Sequence, residues 1–176
     1  MIKSGKKCYF VGELKKEYHM LGFLGEYEVS LDAKGRLMLP AGFKKQLGDG
    51  EGFRFVLNRG FDKCLTLYTE KQWEKIAAVF NRVNDFNEKS RRLKRVFLNG
   101  ATILEPDSAG RVLIPKTMIE HSGMSKTVIF SAQINKVELW DAELYKKQTA
   151  EDALSMNDLA SEVLGSDFMS PLDSDE

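Results

Sequence analysis

Two short stretches of this 176-residue chain carry the same three functional groups at the same spacing. Asp32-Ala-Lys-Gly-Arg36 and Asp107-Ser-Ala-Gly-Arg111 each set a carboxylate, a glycine and an arginine within five residues. An aspartate at the start of a turn accepts hydrogen bonds from backbone N–H groups further along it. Gly35 and Gly110 permit the backbone reversal that a residue with a Cβ resists. Arg36 and Arg111 then project from the turn with a planar fork of donors suited to a phosphate or to the edge of a guanine. The same guanidinium can instead close an ion pair with its own aspartate, and the residues alone leave both roles open. Asp32, Gly35, Asp107 and Gly110 are read as loop-shaping residues, and Arg36 and Arg111 as the candidate contacts. Lys34 adds a cation to the first loop where the second has Ala109, so the first is expected to attract phosphate more strongly.

Other chemistries fit these residues poorly. Two symmetry-related aspartates resemble the carboxylate pair of an aspartic protease, but that pair works by sharing a proton. Arg36 and Arg111 favour the ionised form of both acids, and neither turn has the Asp-Thr/Ser-Gly signature. His19 and His121 lack partners at zinc-ligand spacing, and no turn has Walker or Rossmann glycine spacing. Cys8 and Cys64 suggest neither a metal site nor a disulfide framework. The expectation is a protein that is not an enzyme, with no catalytic residues, cofactor, metal or small-molecule substrate. The basic run Lys89-Ser-Arg91-Arg92-Leu-Lys94-Arg95 reads either as a solvated helix face or as a phosphate-contacting helix. Among the aromatics Phe53, Phe55, Tyr68, Trp73, Trp140 and Tyr145, Tyr68 recurs as Trp140 and Trp73 as Tyr145, which marks core or subunit contacts rather than a base-stacking platform.

The elements that position the two turns are themselves repeated. Asp32 to Pro40 returns as Asp107 to Pro115 at an offset of 75, with three apolar residues between arginine and proline in both copies. Phe53–Asn58 matches Val128–Gln133 at the same offset, and after a three-residue deletion Leu67-Tyr68 matches Leu139-Trp140. Each unit reads as strand, tight turn, strand, short helix, two more strands and a helix. Tyr27, Val29 and Leu31 alternate with polar neighbours at the period of a half-buried strand. Pro40 and Pro115 suit first helical turns, and Gly48 and Gly123 suit helix ends. Phe53 to Leu57 and Cys64 to Tyr68 predict a hairpin around Arg59-Gly60-Phe61-Asp62. Thr69 with Gln72 forms a capping box, and Asp141 holds the matching position. Helices are predicted over 70–83 and 88–98. Such small units bury a core only by interlocking, which predicts a mainly β, α+β barrel built from both repeats, with its Gly-Arg turns related by a pseudo-two-fold axis.

The run Gly25-Glu-Tyr-Glu-Val-Ser-Leu-Asp-Ala-Lys-Gly-Arg-Leu-Met-Leu-Pro40, echoed at Asp107 to Pro115, closely resembles the MraZ family, two-repeat members of the AbrB/SpoVT superfamily. The resemblance covers about Met20 to Tyr145, including Cys64-Leu-Thr-Leu-Tyr68, Phe97-Leu-Asn-Gly-Ala101 and Glu138-Leu-Trp-Asp141. It implies a swapped-hairpin barrel with peripheral helices. It also implies a transcriptional regulator that assembles into rings and binds direct DNA repeats upstream of the cell-division and cell-wall gene cluster. By the same resemblance, DNA contact falls on Lys34, Arg36 and Arg111. The organisation expected is an N-terminal extension at 1–19, a first repeat at 25–72, connecting helices at 73–100, a second repeat at 101–144, and a helix with an acidic, partly disordered tail at 145–176. Residues 1–19 and the long acidic tail depart from the family pattern; the former is either a misassigned start or a basic arm.

The charge distribution agrees with a nucleic-acid partner although the net charge is zero. All 26 basic residues lie within residues 1–147 together with 18 of the 26 acidic ones, a balance of +8. Local potential, rather than net charge, governs attraction to phosphates. No apolar run reaches the length of a membrane span, and the lysine-rich start is followed by too short an apolar stretch for a signal peptide. The expected location is cytoplasmic and nucleoid-associated. The rival reading is an antitoxin-like module that binds DNA through its barrel and a protein partner through the acidic tail.

Overall fold

The first strand, β1 (Phe23–Ser30), obeys the expected alternation: Phe23, Tyr27 and Val29 turn towards the interior while Glu26 and Glu28 face out. The computed structural model describes residues 22–48 and 53–165, so Cys8, His19 and the N-terminal extension lie outside the described residues. After the first Asp-Gly-Arg turn come β2 (Arg36–Met38) and α1 (Ala41–Leu47), with Pro40 at the N-cap. A hairpin of β3 (Phe55–Arg59) and β4 (Leu65–Thr69) follows. It is closed by the bond from Gly60 N–H to the Cys64 carbonyl, at 3.0 Å. Thr69 caps α2 (Glu70–Asn81) by accepting from the Gln72 N–H, and Asn87 caps α3 (Glu88–Phe97) likewise. The second repeat supplies β5 (Thr102–Leu104), β6 (Arg111–Leu113), α4 (Lys116–Ser122), β7 (Thr127–Ile134) and β8 (Lys136–Asp141). The Asp141 carboxylate accepts from both the N–H and the hydroxyl of Ser125.

Six strands form one antiparallel sheet in the order β1-β7-β8-β4-β3-β5, and β2 pairs with β6 as a separate ribbon. Exchanging the repeats turns this order into its own reverse. The registers follow the same rule at the centre, where Thr66 faces Glu138 in the sheet and Leu37 faces Val112 in the ribbon. A pseudo-two-fold axis through these two pairs relates the repeats, as the sequence predicts. Symmetry weakens at the edges: β1 has eight residues and β5 three. Pro106 follows β5 immediately after Glu105 and has no N–H to extend the ladder.

The barrel expected from sequence is not closed. The two edge strands, β1 and β5, do not pair with each other. The inward residues of the ribbon, Leu37, Leu39, Val112 and Ile114, instead join one buried cluster with Phe55, Leu57, Leu65, Phe130 and Leu139 from the sheet. The ribbon thus buries the apolar face that strand closure would otherwise cover. Phe43 of α1 and Met118 of α4, equivalent positions of the two repeats, plug this core. The ring of Phe43 lies 5.1 Å from Phe23, 6.1 Å from Phe55 and 4.8 Å from Phe130. A separate aromatic stack fastens the connecting helices, with Phe97 lying 6.1 Å from Trp73 and 4.6 Å from Phe80.

Residues 143–165 form a second unit. Its helices are α5 (Ala142–Leu154), which begins on the last residue of the first unit, and α6 (Met156–Leu164), which ends at Gly165. The helical part of the tail is longer than the marginal segment expected from sequence, and the acidic stretch after residue 165 lies outside the described residues.

Deleting the Phe43 ring removes a side chain that is 1% exposed at the meeting point of three other rings. Phe43→Ala is expected to lower unfolding free energy by about 3–5 kcal/mol, whereas Phe86→Ser, at a solvent-exposed ring, changes it by less than about 0.5 kcal/mol. Urea unfolding of the two variants beside the parent checks this; similar midpoints for both would refute the placement of Phe43 at the core centre.

Candidate nucleic-acid interface

Each Asp-Gly-Arg turn is built by its aspartate. Asp32 Oδ1 accepts from the N–H groups of Lys34 and Arg36, both at 2.9 Å, and the Gly35 N–H donates to the Asp32 carbonyl at 2.9 Å. Asp107 Oδ1 repeats the pattern with Ala109 at 3.0 Å and Arg111 at 2.9 Å. Gly35 and Gly110 take φ values of 79° and 77°, in the left-handed region where a side chain is strained. The chain leaving each turn is stitched to the other repeat: Leu39 N–H donates to the Gly110 carbonyl and Ile114 N–H to the Gly35 carbonyl. Both Gly-Arg turns therefore sit at opposite ends of a single ribbon.

The arginines fold back on their own aspartates. Arg36 Nε and Nη2 each lie 2.8 Å from Asp32 Oδ2. Arg111 Nε lies 2.8 Å and Nη2 2.7 Å from Asp107 Oδ2. Internal pairing and ligand contact, alternatives at the level of sequence, are compatible here. A guanidinium has five N–H donors, and the brace occupies Nε and one on Nη2. Nη1 and the outer N–H of Nη2 have no partner among the described residues. Along β2 and β6 the side chains alternate, so buried Leu37 and Val112 face the core while Arg36, Met38, Arg111 and Leu113 share the outer face. Arg36 stands opposite Leu113, and Arg111 opposite Met38. Two residues of strand and one strand spacing then separate the arginine Cα atoms by about 8 Å. Sequence reasoning missed Met38 and Leu113 as part of this face, 44% and 57% exposed. Their alternation with Leu37 and Val112 within each Arg-to-Pro run was the available signal.

The electrostatics follow from the brace. The Arg111 side chain and backbone N–H hold the Asp107 carboxyl down at about 2, from an ordinary 3.8. Asp32 is lowered chiefly by the backbone N–H of Arg36, then by its guanidinium. Arg111 is in turn raised by its bond to Asp107, with a smaller contribution from Asp32 across the ribbon. Both carboxylates are thus ionised at neutral pH, the opposite of what a proton-sharing catalytic pair needs.

The other candidate features resolve differently. In the basic run, Arg91 donates to the Asp85 and Phe86 carbonyls and Lys94 pairs with Asp85, so two of its cations fasten the α2–α3 turn. Lys89, Arg92 and Arg95 lie exposed. His121 sits in the last turn of α4, where a protonated ring would be favoured by the helix dipole. Partial burial and the nearby Arg59 and Lys63 lower its pKa instead, which offsets that expectation. Cys64 is buried and its thiol is pushed up to about 12, mainly by burial. Among the described residues no group of three or more His, Cys, Asp or Glu is placed to hold a metal, and no helix is long and apolar enough to cross a membrane.

The family model described as "MraZ protein, putative antitoxin-like" matches residues 22–96 and again 97–166, one match for each repeat. The chain belongs to the MraZ family. It is 38% identical over 149 residues to the transcriptional regulator MraZ of Christiangramia forsetii, covering 84% of this chain and 96% of that protein. The like-named proteins of Cytophaga hutchinsonii (38% over 142 residues; 81% and 94% covered) and Flavobacterium psychrophilum (39% over 143; 81% and 91%) are similar along the same span. The whole double-repeat body of this chain is thus shared with MraZ proteins.

Because folding depresses the Asp107 carboxyl, the stability contributed by its brace is complete above the unfolded value of 3.8 and is lost as pH falls through about 2. A carboxyl-detected NMR titration is expected to place Asp107 near 2 in the parent and to move it up towards 3.8 in Arg111→Gln. A parent value already at 3.8 would mean that the brace does not hold in solution.

Proposed function

We propose that this MraZ-family chain is a DNA-binding transcriptional regulator whose contacts with DNA are made by the outer face of the β2–β6 ribbon and its two turns. One observation carries the reading: two partly exposed arginines, each held by an aspartate through Nε and Nη2 only, lie on the outer face of a two-stranded ribbon. The major groove of B-DNA, about 12 Å wide, admits such a ribbon. The outer guanidinium edges suit phosphate oxygens or the O6 and N7 of guanine. Lys34 adds a cation at the tip of the first turn, and Gly35 and Gly110 keep the backbone close to the duplex. The relatives' shared name, transcriptional regulator, and the basic balance of residues 1–147 support the same reading.

In this reading copies of the chain assemble into a ring, so that successive ribbons engage direct repeats upstream of the cell-division and cell-wall cluster, its own gene included. The protein then works in the cytoplasm at the nucleoid. The test is binding to the duplex upstream of its own coding sequence and to a random duplex, across a salt series. Sequence-selective, salt-dependent binding is expected, and Arg36→Ala or Arg111→Ala should each cost about 1–3 kcal/mol while the protein stays folded and assembled. Equal affinity of the parent for both duplexes would end the sequence-specific reading.

The antitoxin-like wording of the family description favours a second reading, in which the acidic C-terminal segment binds a protein partner. Deleting residues 148–176 separates the two. A regulator acting through its ribbon keeps operator affinity within about twofold and shows no lost protein ligand, whereas an antitoxin-like chain loses a partner that co-purifies with the full-length protein.

A further inference from the structure

The two turns differ in charge along the sequence, because Lys34 of the first is Ala109 in the second. In space the difference is offset by a residue from the other repeat. Leu39 N–H is bonded to the Gly110 carbonyl, so the chain leaving β2 passes directly over the second turn before α1 begins. Side chains on a helix lean back towards its N-terminus. Lys44, whose N–H donates to the Pro40 carbonyl in the first turn of α1, therefore leans over the Gly110 backbone. A Cβ built on Gly110 would lie 3.2 Å from Lys44 Nζ. The equivalent position in the second repeat is Ile119, whose Cδ1 stands over Gly35 at the same 3.2 Å. Lys44 is solvent-exposed and has no ion-pair partner among the described residues.

The first repeat thus carries lysine at both positions, 34 and 44, and the second carries none, with Ala109 and Ile119. The exchange of strands between repeats deals one lysine to each turn: Lys34 from within its own loop, Lys44 from the helix that crosses the other. Resting on the DNA-binding reading above, we propose that Lys44 is the phosphate-contacting cation of the second turn, the counterpart of Lys34 in the first. Each turn then presents one braced arginine and one lysine to the duplex, and the two ends of the ribbon are electrostatically matched although their sequences are not.

The experiment measures binding of the full-length protein to the duplex upstream of its own coding sequence, and to a random duplex, from low to moderate salt. The set is Lys44→Ala, Lys34→Ala, Arg36→Ala, Ala109→Lys and the double variant Lys44→Ala with Ala109→Lys, each checked for melting temperature and assembly size. Lys44→Ala is expected to weaken both duplexes to within about twofold of Lys34→Ala, and to reduce the slope of log Kobs against log salt by about 0.9 for each engaged subunit. Supplying the cation in the loop itself, through Ala109→Lys in the Lys44→Ala background, restores slope and affinity. Because Lys44 is exposed on a helix surface, its melting temperature stays unchanged. If Lys44→Ala leaves the slope unaltered while Arg36→Ala weakens binding, or if the double variant is not rescued, the assignment of Lys44 is overturned. If Arg36→Ala also binds like the parent, the ribbon reading itself has failed.

Discussion

The pairing of β2 with β6 is the constraint on which the rest of the molecule depends. Each strand has only three residues, far too short to be stable alone. Their inner residues Leu37 and Val112 are nevertheless buried completely, because each strand comes from a different repeat and the sheet beneath is built from both. The hydrogen bonds from Leu39 to Gly110 and from Ile114 to Gly35 make each turn's carbonyl a ligand of the other repeat. Neither loop can reach its final shape before the two halves have met. The fold is therefore rich in contacts between residues about 75 apart, a topology that delays loop closure in folding and makes the two repeats a single cooperative body.

The aspartate braces do little for global stability. Their side chains are partly exposed, and ion pairs open to solvent and salt contribute little. Their effect is to reduce the freedom of two long side chains. An unrestrained arginine gives up about 2 kcal/mol of rotamer entropy when a ligand fixes it. Here much of that ordering is already done, because Nε, Nη2 and the backbone N–H groups are held by one carboxylate.

Much of this site was legible in the sequence because it is local. Asp32 to Pro40 is a strand-turn signature whose parts act within nine residues, and its return at Asp107 to Pro115 identified the second turn without any knowledge of the fold. The helices predicted over 70–83 and 88–98 were legible for the same reason, the first through its Thr69–Gln72 capping box; they run over 70–81 and 88–97. The strand β3 was displaced: the apolar run starts at Phe53, but the ladder runs from Phe55 to Arg59, because its ends are fixed by pairing with β4 and β5 rather than by hydrophobicity. Which strand pairs with which was not legible, since β1 on β7 and β5 on β3 are long-range choices with no local marker. The open sheet has the same origin. Alternation predicts that faces are buried, and it does not say whether another strand or the ribbon will cover them. The closeness of Lys44 to Gly110 follows from the strand exchange and was hidden with it.

A braced arginine has a cost as a DNA contact: the carboxylate that orients it also cancels its charge. Seen from beyond about one Debye length, roughly 10 Å at moderate salt, each Asp–Arg pair is close to neutral and pulls weakly on phosphate. Direction and attraction must then come from different residues. On the proposed reading the arginine supplies the planar, fixed donor edge that would distinguish one site on the duplex from another. A lysine is a hydrated point charge on a flexible stem; it discriminates poorly but attracts phosphate from a distance. A turn with the brace alone would be selective and slow to engage, and one with the lysine alone would bind any duplex. In this chain Lys34 stands beside the first brace and Lys44 over the second. If the ribbon meets DNA as proposed, the division of labour between guanidinium and ammonium holds at both ends of it, although only one end is written in a contiguous stretch of sequence.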